Sequence, residues 1–207
     1  KDAEEFKPEY EKMSDTYHRI FSRCGLTTVK VAADNGYIGG EYCHEFQVAH
    51  PEGEGKFFTA TSGEYCAHED VAKFELKDMN LDAPINEYQT LEAVRGTTMV
   101  DGQKHHNLPM WQQLKDVMFS DESGKLVLAL VRGDLEVNVT KLLRVSGAAR
   151  LDSATPEQIR QIGSEPGFIS PVGLKGKVTI IADPSLRTVH NLYGGANQLN
   201  LDAVNIN

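Results

Sequence analysis

Leu126-Val127-Leu128-Ala129-Leu130-Val131-Arg132-Gly133-Asp134 decides how this chain is built. The apolar residues Leu126–Val131 leave no polar face for water, so the run reads as a central strand covered on both sides. Asp121-Glu122-Ser123-Gly124 is a turn leading into it, and Arg132-Gly133-Asp134 reads as a strand end entering a turn, not as an adhesion motif. Downstream, Val139, Leu142 and Leu143 have helical spacing. Thr155, Pro156 and Gln158 then supply an N-cap, a first-turn proline and a capping-box partner for a further helix that Gly163 terminates. Val178–Ala182 reads as another buried strand. Upstream, a helix is expected over Glu87–Arg95 and a polar loop over Gly96–Leu108. Pro109 is expected to open a helix with Met110, Leu114 and Val117 on one face.

At the other end, Phe6, Tyr10, Met13, Tyr17, Ile20 and Phe21 recur at three- and four-residue intervals, which predicts one helix closing near Cys24-Gly25. Thr28–Ala33, Glu45–His50 and Lys56–Thr61 read as strands. Asp34-Asn35-Gly36, Gly39-Gly40 and Pro51-Glu52-Gly53 are their turns. A helix followed by antiparallel strands makes the fold class α+β. Between Leu76 and Ile85 the composition turns polar and reaches Pro84, which sets an expected boundary near Asp82 and two domains, 1–81 and 82–207.

A length of 207 residues admits one large or two small domains, and a 40% hydrophobic share is ordinary for a globular protein. No apolar run approaches the roughly 20 residues of a membrane span, and Lys1-Asp2-Ala3-Glu4-Glu5 lacks the apolar stretch of a secretory signal. The expectation is a cytoplasmic chain with no membrane partner. Three cysteines make no disulfide framework. Asn138-Val139-Thr140, a glycosylation pattern, then carries no meaning. A net charge of −9 argues against broad nucleic-acid binding, which depends on Lys and Arg neutralising phosphates. Any such contact is local, with Lys141, Arg144, Arg150, Lys175 and Lys177 as one patch, against the plainer reading of a solvated surface. Cys43, His44, Cys66 and His68 have the donor types of a zinc site at a spacing that matches no finger or ribbon, so no metal is expected. Nothing brings a cysteine to a specific histidine for thiol catalysis.

The stretch with the clearest chemistry is Gly163-Ser164-Glu165-Pro166-Gly167-Phe168-Ile169-Ser170-Pro171-Val172-Gly173-Leu174. Its glycines and prolines make a tightly turned loop whose backbone is open to close approach by a ligand. Asp183, directly after a strand, is placed either to orient a water or an ammonium group, or to cap the next turn.

Two stretches, in order, resemble bacterial prolyl-tRNA synthetase. Lys1-Asp2-Ala3 is similar to the tail of the second class II motif, and it is followed by Tyr17–Leu26, Ala33-Asp34-Asn35-Gly36-Tyr37-Ile38-Gly39-Gly40 and His44-Glu45-Phe46. From about Glu87, the chain resembles that enzyme's editing insertion at Leu108-Pro109, Lys115, Leu130–Asp134, Asn138, Gly163–Leu174, Ala182-Asp183 and Gly195-Ala196-Asn197. The resemblance implies a catalytic-core fragment of antiparallel sheet over 1–81 and a mixed-sheet α+β editing domain of the YbaK-like type over 82–207. It implies hydrolysis of mischarged alanyl-tRNA, with the aminoacylated 3′ end of tRNA and small amino acids such as alanine as partners.

A pocket shaped for proline discriminates against a smaller side chain by only about 1–3 kcal/mol, which is why a second site is needed. The resemblance assigns catalytic roles to Lys115, Gly167, Pro171 and Asp183. It assigns substrate binding to Phe168, Ile169, Ser170, Gly195, Asn197 and Asp202, and a proline pocket to His44 and Glu45. Editing implies no cofactor. ATP and Mg belong only to the complete synthetase, a homodimer, whose first and third motifs and anticodon-binding domain do not occur here. The chain reads Asp202 where the family has a histidine. That departure keeps open a non-catalytic module that supports the synthetase fold or docks tRNA.

Overall fold

The computed structural model describes residues 3–36 and 43–207, so the readings on Lys1-Asp2 and on Tyr37-Ile38-Gly39-Gly40 lie outside the described residues. The chain divides into two compact units, Lys1–Phe74 and Glu75–Asn207.

In the first unit the expected helix forms as α1 (Ala3–Arg23). It ends where predicted: Gly25 takes φ +77°, and the Leu26 N–H reaches back to the Phe21 carbonyl, closing the last turn. Tyr17, His18 and Phe21 gather around Phe46 with ring centroids 5.4, 4.8 and 6.0 Å away. The strands are short: β1 (Val29–Ala32), β2 (His44–Gln47), β3 (Phe57–Thr59) and β4 (Cys66–His68). They make one sheet in the order β2-β1-β4-β3, in which only β1 and β4 run parallel.

The second unit contains β5 (Gln89–Glu92), α2 (Met99–His106), β6 (Leu114–Asp121), β7 (Leu126–Arg132), α3 (Val139–Ser146), β8 (Leu151–Ser153), α4 (Pro156–Gln161), β9 (Val178–Ala182), β10 (Leu192–Gly195) and β11 (Leu201–Ile206). One sheet has the order β8-β6-β7-β9, with β7 and β9 parallel, and the other is the antiparallel β10-β11-β5. A bridge between Gln113 and Tyr193 joins them. The whole of β7 is buried, as a central strand covered on both faces requires. Period-two alternation sends Leu114, Met118, Leu126, Leu128 and Leu130 to one face, against Ile159, Ile169, Leu192, Ala203 and Ile206. Phe119, Val127 and Ala129 face the other way, onto Leu142 of α3. The Thr155 capping box opens α4, and Gly163 at φ +78° closes it.

Four expectations are corrected. The stretch 87–95 holds β5 and no helix, because Gln89–Glu92 finds an open strand edge along Leu201–Val204. The presumed loop 96–108 holds α2, opened by a reciprocal capping box between Thr98 and Asp101. Pro109 precedes only a single 3-10 turn, Met110–Gln112, and Leu114 and Val117 lie in β6, where pairing with β7 outweighs helical spacing. The strand β9 forms but lies at the sheet edge with Ile180 exposed, since an apolar run does not record its place in a sheet. The polar stretch before β5 packs within the second unit: the Met79 N–H donates to the Thr188 carbonyl, and Asn80 bonds both backbone groups of His190.

Candidate functional site

Glu165-Pro166-Gly167-Phe168 is a turn with proline at its second position and Gly167 at φ +83° in its third, closed by the Phe168 N–H on the Glu165 carbonyl at 2.9 Å. That is the chemistry of a type II turn. The chain then passes across the end of β10. A Cβ on Gly195 would lie 2.2 Å from the Phe168 carbonyl carbon, so only glycine permits this approach. Asn197, left-handed at φ +63°, laces the loop in place. Its N–H donates to the Phe168 carbonyl at 2.7 Å, its Oδ1 accepts from the Ser170 N–H at 2.9 Å, and its Nδ2 donates to the Val172 carbonyl at 2.7 Å.

Phe168, Ile169 and Ser170 are buried and turn into the core. What the loop presents is therefore backbone, not those side chains. The Phe168 and Ser170 N–H groups are already bonded and Pro171 has none, whereas the Gly167 and Ile169 N–H groups have no partner among the described residues. An N–H group without a partner inside the protein is left to water or to an external acceptor.

Behind the loop lies a buried charge cluster. Asp202 on β11 is fully buried; Arg95 grips it through Nε (2.6 Å) and Nη2 (2.5 Å), and His106 Nε2 lies 2.7 Å from Oδ2. Burial pushes the Asp202 carboxyl up, but the His106 and Arg95 hydrogen bonds and the Arg95 charge outweigh it and hold the group below the usual carboxylate range. The Arg95 guanidinium also covers the Phe168 ring at 4.3 Å and reaches the Gly167 carbonyl at 3.4 Å. His106 packs on Tyr193, whose phenol burial pushes up to about 12, with Arg95 opposing and Asp202 adding.

The fold thus brings together Gly167, Phe168, Ile169, Ser170, Pro171, Gly195, Asn197 and Asp202. Lys115 is elsewhere. It lies in β6 and not near a helix end, on the face shared with Val117 and Phe119, and its Nζ bonds the Leu135 carbonyl (2.5 Å) and Glu136 (2.7 Å). Asp183 caps the next turn through the Ser185 N–H at 2.8 Å. It also borders a groove of about 510 Å³ that shares no residue with the Gly/Pro loop. His190 is half-buried, with Nδ1 2.9 Å from the Ala83 carbonyl.

In the first unit, His44 is half-buried 2.9 Å from the Tyr10 hydroxyl, whereas Glu45 is exposed. Neighbours on a strand point to opposite faces, so the two do not line one pocket. Burial, then the Lys30 charge, lowers the His44 pKa against the opposing pull of Glu11. Among the described residues, no group of three or more His, Cys, Asp or Glu is placed to hold a metal, and no helix is long and apolar enough to cross a membrane.

Arg95 and His106 escaped sequence reasoning. The Thr98-to-Asp101 capping pattern was the available signal for α2 and hence for His106 in its last turn. Arg95 had none, being 107 residues from its partner.

Residues 94–202 match the family described as the aminoacyl-tRNA editing domain. Proline-tRNA ligase from Fusobacterium nucleatum subsp. nucleatum is 35% identical over 208 residues, covering 99% of this chain and 36% of that protein. The proline-tRNA ligase of a Sulfurihydrogenibium species is 33% identical over 207 residues, again 99% of this chain and 36% of the relative. The chain thus spans about a third of the length of these curated relatives. A solved structure described as a candidate trans-editing enzyme for prolyl tRNA synthetase superposes with TM-score 0.50 at 23% identity, over 56% of this chain and 74% of that one.

Proposed function

The chain belongs to the aminoacyl-tRNA editing domain family, and we propose that it hydrolyses the ester joining a mischarged small amino acid, alanine above all, to proline-type tRNA. The observation that carries this reading is the Asn197-laced loop, whose Gly167 and Ile169 N–H groups are left open. Ester hydrolysis develops negative charge on the carbonyl oxygen, and preorganised donors aimed at that oxygen are commonly the largest catalytic contribution. Water adds to the carbonyl carbon, the carbon–oxygen bond to the ribose breaks, and the ribose hydroxyl leaves with a proton; the products are free amino acid and tRNA.

The Phe168, Ile169 and Ser170 side chains are buried, which holds the backbone at the tip of the loop in place. A rigid rim excludes the bulkier proline by steric clash, which compensates for the weak discrimination of a proline-shaped pocket against alanine. Lys175 and Lys177, exposed directly after the loop, are suited to phosphates of the tRNA acceptor end. Within this reading the chain is part of a cytoplasmic, homodimeric proline-tRNA ligase. Editing uses the chain's own groups, and ATP and Mg serve the activation chemistry of the rest.

The test is release of amino acid from alanyl-, cysteinyl- and prolyl-tRNA of the proline type. Alanine is expected to be released and proline retained. Release of none would leave a non-catalytic module, a reading favoured by the hold of Leu135 and Glu136 on Lys115. Lys115→Ala in the same assay separates a lysine that swings to the substrate from one that stays with Glu136.

A further inference from the structure

We propose that Arg95 is a positioning residue for this hydrolysis, acting through the Gly167–Pro171 loop to hold its open N–H groups where the developing oxyanion needs them. The inference rests on the hydrolase reading above. Arg95 directs its guanidinium three ways: two nitrogens fork onto Asp202, Nη1 donates to the Gly96 carbonyl at 2.9 Å and the Gly167 carbonyl at 3.4 Å, and the plane covers Phe168. Its side chain is 4% exposed, so the fork onto the fully buried Asp202 is shielded from water.

The peptide geometry makes the consequence specific. In a trans peptide the C=O and N–H point in opposite directions. Asn197 holds the Phe168 carbonyl, which aims the Ile169 N–H away from Asn197. Arg95 holds the preceding peptide by its Gly167 carbonyl and pins the ring between the two. Asp202 anchors the guanidinium from β11, in register with Leu91 of β5, so the restraint comes from a sheet and not from another loop. Thr97 completes the support, because a Cβ on Gly167 would lie 2.4 Å from the Thr97 Cβ. Lysine keeps the charge but has neither the planar fork nor the stacking face.

The experiment compares the wild-type chain, Arg95→Lys and Arg95→Ala by deacylation of alanyl-tRNA of the proline type and by amide hydrogen exchange. Arg95→Lys is expected to lower kcat by about tenfold to a hundredfold while KM stays within about threefold, the pattern of lost alignment rather than lost binding. Exchange in peptides spanning 166–170 should accelerate while β7 stays protected, and millimolar guanidinium should restore part of the Arg95→Ala rate. If Arg95→Ala fails to fold, Arg95→Lys carries the test. Unchanged loop exchange in Arg95→Lys, or kcat within about twofold of wild type, overturns the proposal. If the wild-type chain releases no alanine, the hydrolase reading falls and the catalytic part of this proposal with it. The exchange arm then still decides whether Arg95 holds the loop.

Discussion

Asp202 on β11 and Asp116 on β6 are carboxyl groups buried in the same unit, and their surroundings push them in opposite directions. Asp202 has a forked Arg95, a His106 ring and a depressed pKa. Asp116 faces β10, its Oδ2 3.7 Å from where a Gly194 Cβ would sit; its Oδ1 is buried with no hydrogen-bond partner, and burial pushes the carboxyl well above its usual range. The difference teaches that burial alone does not decide what an acid does. With a cation in reach it is held as a charged anchor, and without one burial works against its charged form.

The strongest way to break this contrast is Asp202→Ala, which strands Arg95 without its counter-charge. A loss of about 3–5 kcal/mol is expected in urea unfolding, the usual cost of removing one partner of a buried pair. A change under about 1 kcal/mol would show that the pair is solvated and the anchor illusory. The pH dependence follows: a folded-state pKa below the unfolded one gives stability that is present above the unfolded pKa and lost as pH falls through the folded one. Asp202 should therefore contribute to acid unfolding at the low end of the carboxylate range.

Gly195→Ala tests the packing between that anchor and the loop. The added Cβ meets the Phe168 backbone at 2.2 Å, so a cost of about 1–3 kcal/mol and slower alanine release are expected together. Full activity would mean that the loop tolerates displacement.

Asp116→Asn sharpens the other side. A raised folded-state pKa gives a contribution fully present below the unfolded pKa and lost as pH rises through the folded one. Wild-type stability should thus decline with rising pH more steeply than that of Asp116→Asn, with a gain for the variant of about 1–2 kcal/mol at the alkaline end. Parallel curves would show that Asp116 has found a partner. The smallest effect serves as a reference: Thr155→Ala, which removes the α4 cap and no hydrogen bond of either acid, should cost about 1 kcal/mol and leave deacylation unchanged.

Much of the fold was legible because the responsible forces are local. The α4 cap, the Gly25 and Gly163 stops and the α1 periodicity each involve residues a few positions apart, and all three formed as read. The errors share a different cause. Residues 87–95 and Leu114–Val117 carry spacing that suits a helix, yet each met an open strand edge, and pairing energy from residues far along the chain prevailed. At the site, the Gly/Pro loop was visible from residue type and Asn197 from the family resemblance, but the inward turn of Phe168 and Ile169 was not, because it depends on which face of the sheet lies beneath.

The sequence by itself determined that Leu126–Arg132 is an apolar strand, where the helices stop and where the glycine-proline turn falls, since each depends on covalent geometry and near-neighbour contacts. Only the tertiary structure decided that Arg95 and His106 converge on Asp202, that Asp116 is left unpaired, and that Lys115 lies on the opposite face of its strand from the residues packing under the loop. These are contacts between residues scores of positions apart. Their free energy is gained only once the sheets have paired, and it leaves no periodic trace in the chain.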